Sequence, residues 1–260
     1  MNYFTDESTD KHTNILEMNE PRRLFVCGDI HGEFGELVAK LCDRKITDSA
    51  VIVAGDSGLG FYKQAYYENE LGHFSQRLAK NNNWILLLRG NHDDPAYYAK
   101  QTTYGRFIVI PDYTIVKTVG RTILCIGGAI SVDRRTRINQ QKLKGIVSYW
   151  EKEPPFYSDA LFTELKDNGI KIDTVVTHTS PSFCEFTDKS GIDIWAEWDN
   201  NLYADVEKER ATMDMIFERL KADQHPVTSW LYGHFHWNVT EKLGDIEYSM
   251  LGICEIKELQ

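Results

Sequence analysis

The segment Leu231 to Trp237, "LYGHFHW", sets two histidines one residue apart, directly behind a glycine. Alternate side chains of an extended strand share a face, so His234 and His236 could aim at a single point. Such a pair either binds something there or is an ordinary strand end, and only partners elsewhere in the chain can decide.

Partners of suitable chemistry recur. "RLFVCGDIHG", "AVIVAGDSG", "WILLLRGNHD", "DTVVTHTSP" and "TSWLYGHFH" share one design, a short apolar run followed by a loop bearing Asp, His or Asn. Five predicted strand ends thus carry Asp29 with His31, Asp56, Asn91 with His92, His178, and His234 with His236. Five of the eight histidines lie in these loops, whereas His12, His73 and His225 do not. Singly, Asp56 in "GDSG" reads as a turn residue and His178 as a strand-end histidine. Their joint placement argues for more, because ligands of open α/β sheets bind at the carboxyl ends of strands.

Carboxylates, imidazoles and an amide oxygen form a mixed O/N donor set. It suits Mn²⁺, Fe²⁺, Zn²⁺ or Ni²⁺ better than an all-oxygen Mg²⁺ or Ca²⁺ cage. Seven donors exceed one tetrahedral zinc but serve two divalent ions sharing a bridging carboxylate, roughly 3.5–4 Å apart. Such a pair lowers the pKa of a shared water and clamps a phosphate during in-line attack.

The elements that must position these residues can be read from periodicity. Near-continuous apolar strands belong to sheets covered on both faces. "EFGELVAKLCDRK" spaces Phe34, Leu37, Val38 and Leu41 as a helix, and "EKERATMDMIFERLKA" does so with Met213, Ile216, Phe217 and Leu220. "SDALFTELKDNG" opens on a Ser cap and closes at Gly169. "YTIVKTVGRTILCIGG" and "NVTEKLGDIEYSMLGI" predict β-hairpins turning at "VGR" and "LGD". The expectation is an α/β fold of two packed sheets flanked by helices, forming a single domain over residues 21–260. Residues 1–20, polar and acidic, are expected to be a loosely attached arm.

Composition narrows the class. At 260 residues, 42% hydrophobic and 26% charged, the chain is an ordinary globular sequence. A net charge of −10 opposes an extended nucleic-acid surface and a broad basic face. The five cysteines never fall in a C-x-x-C spacing, and several sit in apolar runs, which predicts buried reduced thiols. The absence of an apolar h-region or membrane-length run predicts a cytoplasmic protein without a membrane partner.

"GDIHG", "GD" after the second strand, "GNHD", "TH" and "GHFH" occur in the order and kind of spacing of the calcineurin-like metallophosphoesterases. The resemblance runs from about Gly28 to His236, and five ordered motifs are far more specific than one. It implies a four-layer α/β/β/α sandwich with a dinuclear centre and attack by metal-bound hydroxide, without a Ser or Cys nucleophile. It further implies Asp29, His31 and His236 on the first metal, Asp56 bridging, and Asn91, His178 and His234 on the second. His92 resembles the family's general acid or transition-state stabiliser. The region "GGAISVDRR", then "SYWEKEP" and "THTSP", is similar to small bacterial and phage members.

Where serine/threonine phosphatases of the superfamily continue G-D-x-V-D-R-G, this chain has "GDSGLGF", with Leu59 and Gly60 in place of the Asp-Arg pair. "LLRGN" is phosphatase-like but is followed by His92 and then Asp93, where those enzymes carry Glu. A protein serine/threonine phosphatase is therefore disfavoured. A substitute phosphate grip is expected in "GGAISVDRRTRINQQKLKG", which carries Arg134, Arg135, Arg137, Lys142 and Lys144, read as a basic loop. With His92 and Asp93, Arg134 and Arg135 complete the expected catalytic group. Tyr97, Tyr98, Trp195, Trp198 and Tyr203 could stack on a nucleobase, although core packing is the commoner fate of such residues.

The reading that follows is hydrolysis of a small phosphodiester or phosphomonoester, with nucleotides among the candidates and Mn²⁺ the first choice of metal. A nuclease using the same site and a non-catalytic interaction module on the same fold are the alternatives.

Overall fold

Leu24 and Val26 face one side of their strand and Phe25 and Cys27 the other, yet all four are buried. The same holds for Ala50 and Ile52 against Val51 and Val53, and for Leu86 against Ile85 and Leu87. Strands apolar on both faces must be covered twice, and the architecture follows from that demand. The computed structural model describes residues 3–5, 13–184 and 191–259.

In chain order the first elements are β1 (Ile15–Met18), β2 (Arg23–Cys27), α1 (Phe34–Asp43), β3 (Ser49–Val53), α2 (Gln64–Lys80) and β4 (Trp84–Leu87). Next come β5 (Thr102–Tyr104), β6 (Phe107–Val109), β7 (Thr114–Thr118), β8 (Arg121–Ile126), α3 (Arg134–Lys144) and α4 (Asp159–Asp167). The last are β9 (Thr174–Thr177), α5 (Ile192–Ala196), α6 (Leu202–Ala222), β10 (Ser229–Tyr232), β11 (Val239–Leu243), β12 (Ile246–Met250) and β13 (Ile256–Leu259).

One sheet has the order β13-β2-β3-β4-β6-β5, with β2, β3, β4 and β6 parallel and the two edges antiparallel. The other has the order β1-β7-β8-β9-β10-β12-β11, in which β8, β9, β10 and β12 run parallel. Leu24, Val26, Ile52 and Leu86 of the first sheet meet Val116, Ile123, Val176 and Leu231 of the second. Helices α1 and α2 bury Phe34, Leu37, Val38, Leu41 and Tyr67 on the outer face of the first sheet. Helices α4 and α6 bury Phe162, Met213 and Ile216 against Val175 and Trp230 of the second. The result is the expected four-layer α/β/β/α sandwich.

Both expected hairpins form, β7 with β8 and β11 with β12. The Ser158 side chain caps α4 by accepting the Leu161 N–H. All five cysteines are free, and only Cys42 is not fully buried. No helix among the described residues is long and apolar enough to cross a membrane.

The boundary expected at residue 20 does not separate an arm from the sheets. Strand β1 pairs in parallel with β7 from Ile15–Ile115 to Met18–Thr118. Upstream, the Phe4 N–H donates to Thr212 Oγ1 and the Tyr157 N–H donates to the Phe4 carbonyl. The polar, acidic composition that suggested a loose arm includes an edge strand, in which Ile15 and Glu17 are exposed and Met18 is buried. The part of the expected arm at residues 6–12 lies outside the described residues.

Candidate metal centre

Asp29, Asp56 and Asn91 follow β2, β3 and β4 of one sheet, while His178 and His234 follow β9 and β10 of the other. Their loops are held in conformations that side-chain-bearing residues rarely adopt. His31, Asp56, His234 and His236 have φ of 47°, 50°, 67° and 60°, a left-handed backbone costing roughly 1–2 kcal/mol per residue. Such costs persist where surrounding bonds fix the chain, and here the bonds run between the loops themselves. The Asp56 carbonyl accepts the His31 N–H at 2.8 Å, and Asp56 Oδ1 accepts the His92 N–H at 2.7 Å. Asp29 Oδ1 accepts the His234 N–H at 2.9 Å. Gly233 makes that approach possible, since a Cβ there would lie 2.1 Å from Asp29 Oδ1.

One side of the site is crowded with lone pairs. His178 Nδ1 lies 2.7 Å from the Ala54 carbonyl, which can only accept, so Nδ1 carries the proton. His178 Nε2 then faces Asn91 Oδ1 at 2.9 Å and Asp56 Oδ1 at 3.3 Å. The Asn91 amide cannot turn its NH₂ inward, because that group donates to Ser131 Oγ at 2.9 Å. Three acceptors therefore converge where a positive charge is needed. The His178 pKa registers the same demand: burial works against its charged form, yet Asp56 and Asp29 push it up to about 9. A cation in that space would answer the demand without a proton.

A second convergence adjoins the first. His236 Nε2 lies 2.9 Å from Asp29 Oδ2 and 3.1 Å from His31 Nε2. His31 Nδ1 is 3.8 Å from Asp56 Oδ2. Among the described residues three groups could each hold an ion: Asp29, His31 and His236; Asp29, Asp56 and His178; and His31, Asp56 and His92. Asp56 and Asp29 each belong to two of them, so neighbouring positions share a carboxylate. His234 enters none; its ring stands edge-on to His178 with centroids 5.0 Å apart.

Burial alone would raise the Asp56 carboxyl, but His178, His92 and His31 hold it well below the usual carboxylate range. Desolvation, with His178 beside it, holds His234 well below the usual imidazole value. His92 is also lowered, chiefly by burial and further by Arg137, while Asp56 opposes the shift. Ionised Asp56 beside neutral His234 matches what metal ligation requires, whereas His178 and His236 are raised by neighbouring carboxylates, whose demand for positive charge an ion would meet instead.

Asp93 does not face the site. Fully buried, its Oδ1 accepts the Gly58 and Leu59 N–H groups at 2.8 and 2.9 Å, and its Oδ2 those of Gly90 and Ser57 at 2.7 and 3.1 Å. It ties the loop after β3 to the loop after β4, a positioning role in place of the expected catalytic one. Ser131 and Glu153 were not visible as site residues in the sequence. Glu153, buried in "SYWEKEP", holds Ser131, while Arg89 donates to the Glu153 carbonyl at 2.7 Å and to Asp112. Glu209 of α6 braces the next layer by accepting from the Thr179 hydroxyl and from the Ile130 N–H.

The expected phosphate grip also moves. The basic stretch is helix α3, not a loop, and it buries none of its residues. The Arg134 guanidinium is committed to Asp199 and Asp205, each at 2.6 Å, fastening α3 to the turn before α6 and to the first turn of α6 itself. Arg135 is exposed. The arginine that reaches the site is Arg137, one helical turn along, whose Nη2 lies 3.0 Å from His92 Nδ1. Among the aromatic candidates Tyr98 is core, whereas Trp198 and Tyr203 are 74% and 53% exposed, against the expectation of core packing.

The family model for calcineurin-like phosphoesterases matches residues 22–238. Serine/threonine-protein phosphatase ppe1 of Schizosaccharomyces pombe is 30% identical over 142 residues, 48% of this chain and 45% of that protein. The chain thus spans less than half the length of that curated relative. A solved crystal structure at 14% identity aligns with a TM-score of 0.50 over 92% of this chain and 99% of that one, which bears on the fold alone. A phosphopantetheinyl hydrolase from Mycobacterium tuberculosis, 14% identical over 91% of each chain with a TM-score of 0.41, is too remote to bear on function. Five ordered motifs, the layered fold and a family match across most of the sequence agree, and the chain belongs to the calcineurin-like phosphoesterase family.

Proposed function

We propose that this phosphoesterase hydrolyses a small phosphate ester, with nucleotides among its candidates, over two divalent cations held by Asp29, His31, Asp56, Asn91, His178, His234 and His236. Mn²⁺ is the first choice for that O/N donor set, with Fe²⁺, Zn²⁺ and Ni²⁺ behind it. The observation that carries the reading is the convergence of Asn91 Oδ1, His178 Nε2 and Asp56 Oδ1 on one point, which calls for a positive charge there.

Bound ions supply a lowered pKa for water and a clamp for phosphate charge. The chain's own residues do the rest. Asp56, shared between neighbouring clusters, sets the spacing of the two positions. The Ser131 hydroxyl keeps the Asn91 oxygen turned inward. His92, its backbone pinned to Asp56, presents a neutral ring whose N–H can donate a hydrogen bond to the charge developing on the leaving oxygen.

Protein stripped with EDTA and reloaded with Mn²⁺ should turn over p-nitrophenyl phosphate or bis-p-nitrophenyl phosphate. Failure on both, and on a nucleotide panel, with each of the four metals would overturn the proposal.

A further inference from the structure

The His92 ring has a cationic partner on helix α3. Arg137 Nη2 sits 3.0 Å from His92 Nδ1 and 3.1 Å from His92 Nε2. A neutral imidazole has one accepting nitrogen and one N–H, and a guanidinium has only donors. One ring nitrogen can therefore accept from Arg137, while the other carries an N–H beside the same guanidinium nitrogen. A phosphate seated beside the pair could offer one oxygen to Arg137 and another to the His92 N–H.

Arg137 is also fixed from behind. Its Nε donates to Asp133 at 2.7 Å and its Nη1 to the Ser148 carbonyl at 3.3 Å. Two nitrogens are thereby occupied and the third is aimed at His92. A donor held in place before substrate arrives binds a developing charge without reorganisation.

From this geometry we infer that Arg137 is a catalytic residue that grips a non-bridging phosphate oxygen beside His92, and that it biases the site towards phosphomonoesters. The inference rests on the phosphoesterase reading above. A diester has two non-bridging oxygens, and a two-ion centre engages those. A monoester has a third, free to reach Arg137, and a second negative charge for the guanidinium to face. Arg137 moves no proton in this scheme; it places the phosphate so that the His92 N–H meets the leaving oxygen.

The test uses Mn²⁺-loaded full-length protein with Arg137→Ala, Arg137→Lys and, as a control for lost charge on the exposed side of α3, Lys142→Ala. Arg137→Ala should lower kcat/KM for p-nitrophenyl phosphate by about 100-fold, the range for losing one preorganised donor. The loss on bis-p-nitrophenyl phosphate should stay below about fivefold, with Mn²⁺ content unchanged. The inhibition constant of inorganic phosphate should rise about tenfold or more, and added guanidinium should restore part of the monoesterase rate. Arg137→Lys should fall between, and Lys142→Ala should match the wild type. Equal losses on both esters, or an unmoved phosphate constant, would overturn the inference. Phosphate binding measured by calorimetry needs no turnover, so it separates failure of this inference from failure of the phosphoesterase reading.

Discussion

Glu153 holds Ser131 at two points, its carboxyl oxygens accepting the backbone N–H at 2.9 Å and the hydroxyl at 2.6 Å. Because Ser131 in turn accepts from Asn91, a residue 62 positions further along the chain decides which way the Asn91 amide points. Burial pushes the Glu153 carboxyl from 4.5 up to about 8, with the Ser131 bonds pulling the other way. Between those two values the folded chain keeps a proton that the unfolded chain has released, so stability falls as pH rises through the window. Glu153→Gln should flatten that slope in EDTA-treated protein. Thermal unfolding from about pH 5 to about pH 8 checks it, and an unchanged slope would refute the assignment.

Asp93 serves four backbone donors and no substrate-facing atom. Asp93→Ala leaves those N–H groups buried without an acceptor and should cost about 3 kcal/mol or more in urea unfolding, with loss of metal binding. A variant that unfolds normally, keeps its metal and still loses kcat would return Asp93 to direct chemistry.

Asp56 and His92 separate binding from turnover. Asp56→Asn removes the charge shared by neighbouring clusters and should reduce metal content and activity together. His92→Ala should retain two equivalents of metal while kcat drops by about 100-fold or more. Metal analysis of the purified variants is decisive, because metal lost with His92 would make it the ligand its contact with His31 and Asp56 allows.

Gly233→Ala tests the close approach of backbone to site. Its Cβ would meet Asp29 Oδ1 at 2.1 Å, so the carboxylate must move or the loop must. The expected result is a fold of near-normal helicity with metal affinity lowered at least about tenfold, equivalent to about 1.4 kcal/mol. Unaltered affinity in a titration would show that the loop yields at no cost to the site.

Most of the fold was legible because its signals are local. The apolar runs of β2, β3, β4, β9 and β10, and the helical spacing of Leu37, Leu41, Met213 and Ile216, report burial directly. The strand-end Asp, Asn and His residues were legible for the same reason, being one loop away from each run. Helix α3 gave no such signal, since it buries no side chain and stands on ion pairs. Arg137 was passed over in favour of Arg134 and Arg135 because only a helix sets it one turn on from Arg134 and brings it to His92. Glu153 escaped, and Asp93 was assigned to chemistry instead of to positioning, for another reason. Each acts through partners distant in sequence, Ser131 and the Ser57–Leu59 backbone, and a buried carboxylate looks like a surface one until its neighbours are placed.

The division of the site between two sheets has a mechanical side. Asp29, Asp56 and Asn91 ride on one sheet and His178 and His234 on the other, and what joins the sheets beneath them is the side-chain layer around Val26, Ile52, Val176 and Leu231. An ion bound across that seam is a crosslink as well as a reagent. Every increment of its affinity resists shear between the halves of the sandwich, by RT ln(1 + [L]/Kd) for free ion. Amide exchange in β3 and β9 should therefore slow together as metal is titrated in, with strands far from any ligand sharing the protection of those that carry one.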